Sequence, residues 1–178
     1  SQKTPFSEDM TPKPVDPYGI SKVASEEVLK NLCDLNNIEW VIAVPHNIIG
    51  PRQKYDDPYR NVASIMINLM LQKRQPIIYG NGKQKRCFSF IKDDIDILCK
   101  LVFSKKANKK IINIGPDEEF VSINDLANLI GNLLTFNVNP IYKKGRPQEV
   151  FLANCSANRA RKLFNYKTKC SLKNGLRE

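Results

Sequence analysis

The sequence predicts an α/β fold, and three observations carry that reading. Trp40-Val41-Ile42-Ala43-Val44 is a continuous apolar run closed by Pro45, the pattern of a parallel strand buried on both faces. Val62, Ile65, Met66, Leu69 and Met70 recur at steps of three and four, which places them on one face of a helix. Lys110 to Ile114 then reads as a further strand behind a helix opened by Asp93-Asp94.

Residues 1–16 are polar and carry Pro5, Pro12 and Pro14, so they read as a loop. Asp16 can cap a helix and Pro17 suits its first turn, where a missing N–H costs nothing. That helix should run to Asn36 or Asn37. Its stripe of Ile20, Ala24, Val28, Leu32 and Leu35 is expected to pack against the body, leaving Tyr18 and Lys22 on a free edge. After the strand over 40–44, Pro45-His46-Asn47 falls at a strand's carboxyl end, where open α/β sheets bind ligands. For His46 a packed ring and a place in the site are equally open.

Residues 51–60 form a polar loop before a helix from Asn61 to Lys73, whose methionines read as core. Ile77-Ile78-Tyr79 reads as a strand, Gly80-Asn81-Gly82 as a hairpin turn and Cys87 to Ile91 as the returning strand. A phosphate-binding loop at Gly80–Gly82 is disfavoured because no helix follows directly. Asp93-Asp94 suits a helix start running to Phe103, with acids at its positive end. Ser122-Ile123-Asn124-Asp125 resembles a capping box for a helix through Leu134. Val138 to Tyr142 reads as a strand, Lys143 to Glu149 as a basic loop, and Asn154 to Phe164 as a small helix.

The chain has 178 residues, 42% hydrophobic and 26% charged, ordinary for a soluble globular protein with a sizeable core. A formal charge of +10 raises nucleic-acid binding, but the lysines are scattered and no nucleic-acid-binding motif accompanies them. No run of membrane length is present. Five cysteines without a C-x-x-C pair, and a single histidine, argue against a zinc site and for a reduced, cytoplasmic protein. We therefore expect no metal, no nucleic acid and no membrane partner.

The chemistry lies in Tyr18 and Lys22, one helical turn apart. A phenol with the ordinary pKa of about 10 is a poor base at neutral pH, and a neighbouring ammonium favours its ionised form, which suits moving a proton at a sugar hydroxyl. Alone, a Y-x-x-x-K spacing is most often a surface pair. Here it sits within a longer pattern: Pro5-Phe6-Ser7-Glu8, Pro17-Tyr18-Gly19-Ile20-Ser21-Lys22, Asn47-Ile48-Ile49-Gly50-Pro51-Arg52-Gln53, Ile78-Tyr79-Gly80-Asn81-Gly82 with Gln84 and Arg86, Asn113-Ile114-Gly115, and Gly145-Arg146-Pro147.

That ordered set resembles the extended short-chain dehydrogenase/reductases, in particular the NAD-dependent nucleotide-sugar epimerases and dehydratases of the UDP-glucose 4-epimerase type. The resemblance implies the C-terminal part of a Rossmann-like doubly wound parallel sheet plus a small α/β substrate domain. Residues 1–50 would belong to the NAD-binding domain and 51–178 mainly to the substrate domain, with 85–115 returning to the sheet. It implies Tyr18 and Lys22 as catalytic and cofactor-binding residues, and Pro45 against the nicotinamide of NAD. Asn47, the helix start at Asn61 and Val62, Tyr79, Arg86, Arg146 and Glu149 would hold a nucleotide sugar, most simply a UDP-sugar. Cys87 stands where the family commonly has an acid. A solvated basic loop remains the alternative for the stretch around Arg146.

The family's glycine-rich dinucleotide turn does not occur in these residues, so the chain is expected to be the C-terminal half to two-thirds of a longer protein. The expected activity is epimerisation through transient oxidation at sugar C4, in a homodimer. The alternatives are a 4,6-dehydratase and a truncated, non-catalytic nucleotide-sugar-binding chain.

Overall fold

The computed structural model describes residues 4–57, 61–147 and 150–178. Helix α1 (Pro17–Leu35) opens as its sequence dictates. The Asp16 carboxylate accepts the Gly19 N–H at 2.6 Å, and Pro17 occupies the first turn. Strand β1 (Val41–Pro45) leads through β2 (Ile48–Ile49) to helix α2 (Val62–Leu71), capped by the Asn61 side chain. Strands β3 (Ile77–Tyr79), β4 (Lys85–Arg86) and β5 (Ser89–Phe90) precede helix α3 (Ile91–Phe103). A single 3-10 turn, Lys105–Ala107, leads to β6 (Lys110–Ile114). Then follow β7 (Val121–Ser122), α4 (Ile123–Leu134), β8 (Ile141–Lys143), β9 (Leu152–Ala153), α5 (Asn158–Phe164) and α6 (Leu172–Arg177).

Strands β1 and β6 pair in parallel from Val41 opposite Lys110 to Pro45 opposite Ile114. The long crossover between them satisfies the need of parallel strands for a connecting segment. Pairs β2–β5 and β3–β8 are also parallel, while β4 joins β7 antiparallel and β9 parallel. Two apolar clusters hold these pieces. One gathers Met66, Met70, Ile78, Phe88, Phe90, Leu126 and Ile130 with Leu172 of α6. The other gathers Ile97 and Leu101 of α3 with Ile112 and Ile114 of β6, and with Ala160 and Tyr166. Each fully buried aliphatic side chain contributes about 1.5–3 kcal/mol, so α3 and β6 are anchored far more strongly than α1.

Helix α1 departs from expectation. None of its residues is buried, and its apolar stripe is open to solvent, from 55% exposed at Ile20 and Leu32 to 72% at Leu35. At 100° per residue the half-buried Gly19, Val23, Glu26, Lys30 and Cys33 lie on the opposite face. The helix therefore meets the body through its small and polar face. Among the described residues no element covers the stripe.

The expected hairpin over 77–91 is also corrected. Ile77–Tyr79 pairs with β8, and the returning segment divides into β4 and β5, which pair with other strands. Gly80 and Gly82 do make a turn, with φ of 71° and 70°. A Cβ on Gly82 would lie 2.0 Å from the Asn124 Oδ1 atom, so the turn is shaped to dock on α4 rather than to fold back. The capping box on α4 is present in full, Ser122 and Asp125 each bonding the other's backbone N–H. Strands β2, β7 and β9 and helix α6 are too short or too polar to announce themselves by periodicity.

Candidate active site

Tyr18 and Lys22 lie between the apolar stripe of α1 and the face turned to the body, as their positions around the helix require. Tyr18 is 70% exposed, and the Lys22 Nζ atom stands 5.5 Å from its ring centroid. The structure thus brings these two predicted residues together with a free hydroxyl.

The loop ahead of them is tied to β6. Glu8 accepts the Asn113 N–H at 2.9 Å, and the Phe6 carbonyl accepts from the Asn113 side chain at 3.2 Å. Phe6 also exchanges backbone bonds with Asn154 and Ser156. Arg159 of α5 reaches the Ile111 carbonyl at 3.1 Å, Glu8 at 4.0 Å and the Asp9 carboxylate. The sequence gives no sign that Glu8, Asn113 and Arg159 act as a set, although Pro5-Phe6-Ser7-Glu8 and Asn113-Ile114-Gly115 carry a signal for the first two.

Pro45 ends β1 opposite Ile114. His46 follows, half-buried, its pKa pushed down to about 4 because burial disfavours the imidazolium. It is therefore a neutral ring at physiological pH. Asn47 takes the left-handed φ of 29° and donates from Nδ2 to the Cys87 carbonyl at 2.8 Å, directly beside Arg86. Asn61 donates to the Ile48 carbonyl at 3.1 Å while capping α2 at Ala63, so Asn61 and Val62 sit one short strand from Asn47.

Arg86 donates to the carbonyls of Lys85 and Phe151. Gln84, buried two residues earlier, donates to the Tyr79 carbonyl at 2.9 Å. Tyr79 in turn carries the Arg146 guanidinium over its ring, 4.4 Å from the centroid. The structure therefore brings together Tyr79 with Arg146, and Asn47 with Asn61 and the Arg86–Cys87 segment. Glu149 lies outside the described residues.

Two buried groups behind this wall were also not read as functional. Ser89 and Asp94 form a hydrogen-bonded pair at 2.8 Å. Burial raises the Asp94 pKa to about 6, opposed by the Ser89 hydroxyl and reinforced by Asp93. The Cys87 thiol is pushed up to about 12, chiefly by burial, so it is held as an inert thiol.

An exposed phenol beside an ammonium fits the ribose and nicotinamide end of a dinucleotide. Pro45, at the carboxyl end of a parallel pair, occupies the usual ligand position of such sheets. Among the described residues no group of three or more metal-binding side chains is clustered, and no helix is long and apolar enough to cross a membrane.

The family model described as GDP-mannose 4,6 dehydratase matches residues 1–178. A candidate UDP-glucose 4-epimerase of Methanocaldococcus jannaschii is 33% identical over 175 residues, covering 97% of this chain and 55% of that protein. The UDP-N-acetyl-alpha-D-glucosaminuronate decarboxylase of Bacillus cytotoxicus is 36% identical over 135 residues, 72% of this chain and 41% of that protein. Among solved structures, the UDP-glucuronic acid 4-epimerase of Bacillus cereus, in complex with UDP-glucuronic acid and NAD, superposes with a TM-score of 0.90. It shares 28% identity, covering 98% of this chain and 55% of that one. The chain thus spans about half the length of the relatives it matches. The α/β architecture matches Rossmann-like epimerases, and the chain belongs to the GDP-mannose 4,6 dehydratase family, the NAD-dependent nucleotide-sugar epimerases and dehydratases of the extended short-chain dehydrogenase/reductases.

Proposed function

We propose that this chain forms the sugar-binding side of an NAD-dependent nucleotide-sugar 4-epimerase acting on a UDP-sugar, within a longer protein that also holds the dinucleotide. The observation that carries the reading is the Tyr18–Lys22 pair, a free phenol 5.5 Å from an ammonium on a helix start. Tyr18 takes the proton from the sugar 4-hydroxyl and returns it after the ring has turned over. Lys22 stabilises the charge on the phenol oxygen and holds the nicotinamide ribose, with Pro45 against the ring. NAD, when bound, supplies the acceptor for the hydride leaving C4 and gives it back to the other face.

The nucleotide end binds away from the reacting carbon. Tyr79 and Arg146 form a platform for the base and diphosphate, and Arg86 offers a planar fork to the same diphosphate. Asn47, with Asn61 and Val62 at the start of α2, contacts the sugar and phosphates, and Glu149 the ribose. Binding energy from this remote end orients the sugar over Tyr18. The exposed stripe of α1 supports assembly with a second copy.

The test is Tyr18→Phe in the full-length protein, assayed with UDP-glucose. Turnover should fall by at least ~10²-fold with NAD still retained; near-parental turnover removes Tyr18 from the mechanism. The 36% identical decarboxylase favours a second reading in which the oxidised sugar loses its carboxylate. Release of CO2 from UDP-glucuronic acid, in place of 4-epimerised UDP-glucose, would select it.

A further inference from the structure

The Ser89 hydroxyl lies 2.7 Å from the His46 carbonyl oxygen and 2.8 Å from the Asp94 Oδ2 atom. Both distances are those of good hydrogen bonds. A hydroxyl has one proton to donate, and a carbonyl or a carboxylate has none. Ser89 can therefore serve both partners only if Asp94 carries a proton and donates it to the Ser89 oxygen. The surroundings of Asp94 favour that form. The residue is 0% exposed, and its other oxygen, Oδ1, is buried without a hydrogen-bond partner, a costly place for an ionised group. The titratable groups beside it are Asp93 on its own helix and the Tyr166 phenol beyond α5, neither of which supplies a positive charge.

What this chain of donors holds is the peptide plane between His46 and Asn47. Its carbonyl receives the Ser89 hydroxyl and, at 3.4 Å, the Ser89 N–H. That plane sets one side of the Asn47 N–Cα bond and the pairing of Ile48-Ile49 with Ser89-Phe90 sets the other, and between them Asn47 holds a φ of 29°, uncommon for a residue other than glycine. With the backbone set, the Asn47 side chain reaches the Cys87 carbonyl, and its amide oxygen is turned away from that bond.

We propose that Ser89 and Asp94 are positioning residues for nucleotide-sugar binding: a neutral Asp94 donates to Ser89, which holds the His46–Asn47 peptide and so aims Asn47. The inference rests on the reading above in which Asn47 contacts the substrate. Ionisation of Asp94 would turn the Ser89 hydroxyl toward the carboxylate and release the His46 carbonyl to the longer N–H bond alone.

The experiment is titration of UDP-glucose, which has no ionisation of its own near neutrality, into the full-length protein at about pH 5 and about pH 8. Ser89→Ala should weaken binding about 5–10-fold at about pH 5, the effect of one lost hydrogen bond, with bound NAD retained and a cooperative melt. Asn47→Ala should lose a similar factor, and the double variant no more than the larger single loss. The parent should bind severalfold more weakly at about pH 8. Asp94→Asn keeps an N–H facing Ser89 and should bind alike at both pH values. Independently of any variant at Ser89, infrared difference spectra of parent against Asp94→Asn at about pH 5, where an ordinary aspartate is ionised, should show a carboxylic-acid carbonyl band. Unchanged affinity in Ser89→Ala, additive losses with Asn47→Ala, or a carboxylate band alone would each overturn the proposal while leaving the nucleotide-sugar reading in place. Failure of UDP-glucose to bind the parent would overturn both.

Discussion

The Arg146 guanidinium rests on the face of Tyr79, 4.4 Å from the ring centroid. These residues lie far apart in sequence and meet because β3 and β8 pair in parallel, Tyr79 opposite Lys143, with the Gly80 N–H bonded to the Lys143 carbonyl at 2.9 Å. A delocalised cation over a tyrosine contributes about 0.5–1 kcal/mol when exposed.

If this stack is the nucleotide platform, Tyr79→Ala and Arg146→Ala should each weaken UDP binding by roughly 3–10-fold. A double-mutant cycle by isothermal titration should return a coupling of about 0.5–1 kcal/mol. Arg146→Lys should behave more like alanine than like the parent, because a point ammonium lacks the planar fork. Independent, additive losses would separate the two residues.

Burial of His46 should make the protein acid-sensitive. An unfolded chain takes up the imidazole proton near pH 6.5, whereas the folded chain resists it until about 4. The folded state then binds fewer protons, so stability is full above about 6.5 and falls as pH drops toward 4, by on the order of 3 kcal/mol. His46→Phe should flatten that part of the profile. Denaturant melts of the full-length protein across this range check it; parallel profiles for parent and variant would refute it.

Asp94 acts in the opposite direction. An unfolded aspartate ionises near 3.9, while the folded one holds its proton to about 6. The contribution of this group is therefore full below about 3.9 and is lost as pH rises through about 6, by roughly 2–3 kcal/mol. The stability of Asp94→Asn relative to the parent should rise between about pH 4 and pH 7, measured by thermal melts. A constant difference would argue against the raised value.

The stripe on α1 gives a prediction about assembly. Ile20, Val28, Leu32 and Leu35 form an exposed apolar row of the kind that marks an interaction surface. Leu32→Glu should lower the sedimentation mass of the full-length protein without changing its far-ultraviolet circular dichroism. An unchanged mass would show that assembly, if any, uses another face.

The elements most legible in the sequence were those whose stability is local or whose burial is uniform. The Asp16–Pro17 start, the Ser122–Asp125 box and the apolar run of β1 each carry their own instruction. The segment 77–91 was misread because Gly80-Asn81-Gly82 looks alike whether its flanking strands pair with each other or with remote partners. Here β8, β7 and β9 supply those partners, and nothing near the turn encodes them. In the candidate site, the placing of Tyr18 beside Lys22 was readable from spacing, while Tyr79 and Arg146 were named separately from resemblance and their stacking was not legible. Asp94 was legible only as an acid at a helix start and Ser89 not at all, because a hydroxyl set between a carboxylic acid and a carbonyl is a fact of three dimensions. The same holds for Arg159, whose role depends on α5 reaching the loop at Glu8.

Adjacent aspartic acid side chains at the start of α3 face different clients. Asp93 accepts the N–H groups of Lys169 and Cys170 at 2.9 and 3.0 Å, just ahead of α6, while Asp94 stands behind the wall that carries Asn47. One helical turn therefore links the seating of α6 to the His46–Asn47 segment. Loosening of α6, which packs its Leu172 into the same apolar cluster as Phe90, should be felt as altered ligand affinity rather than as a frayed end.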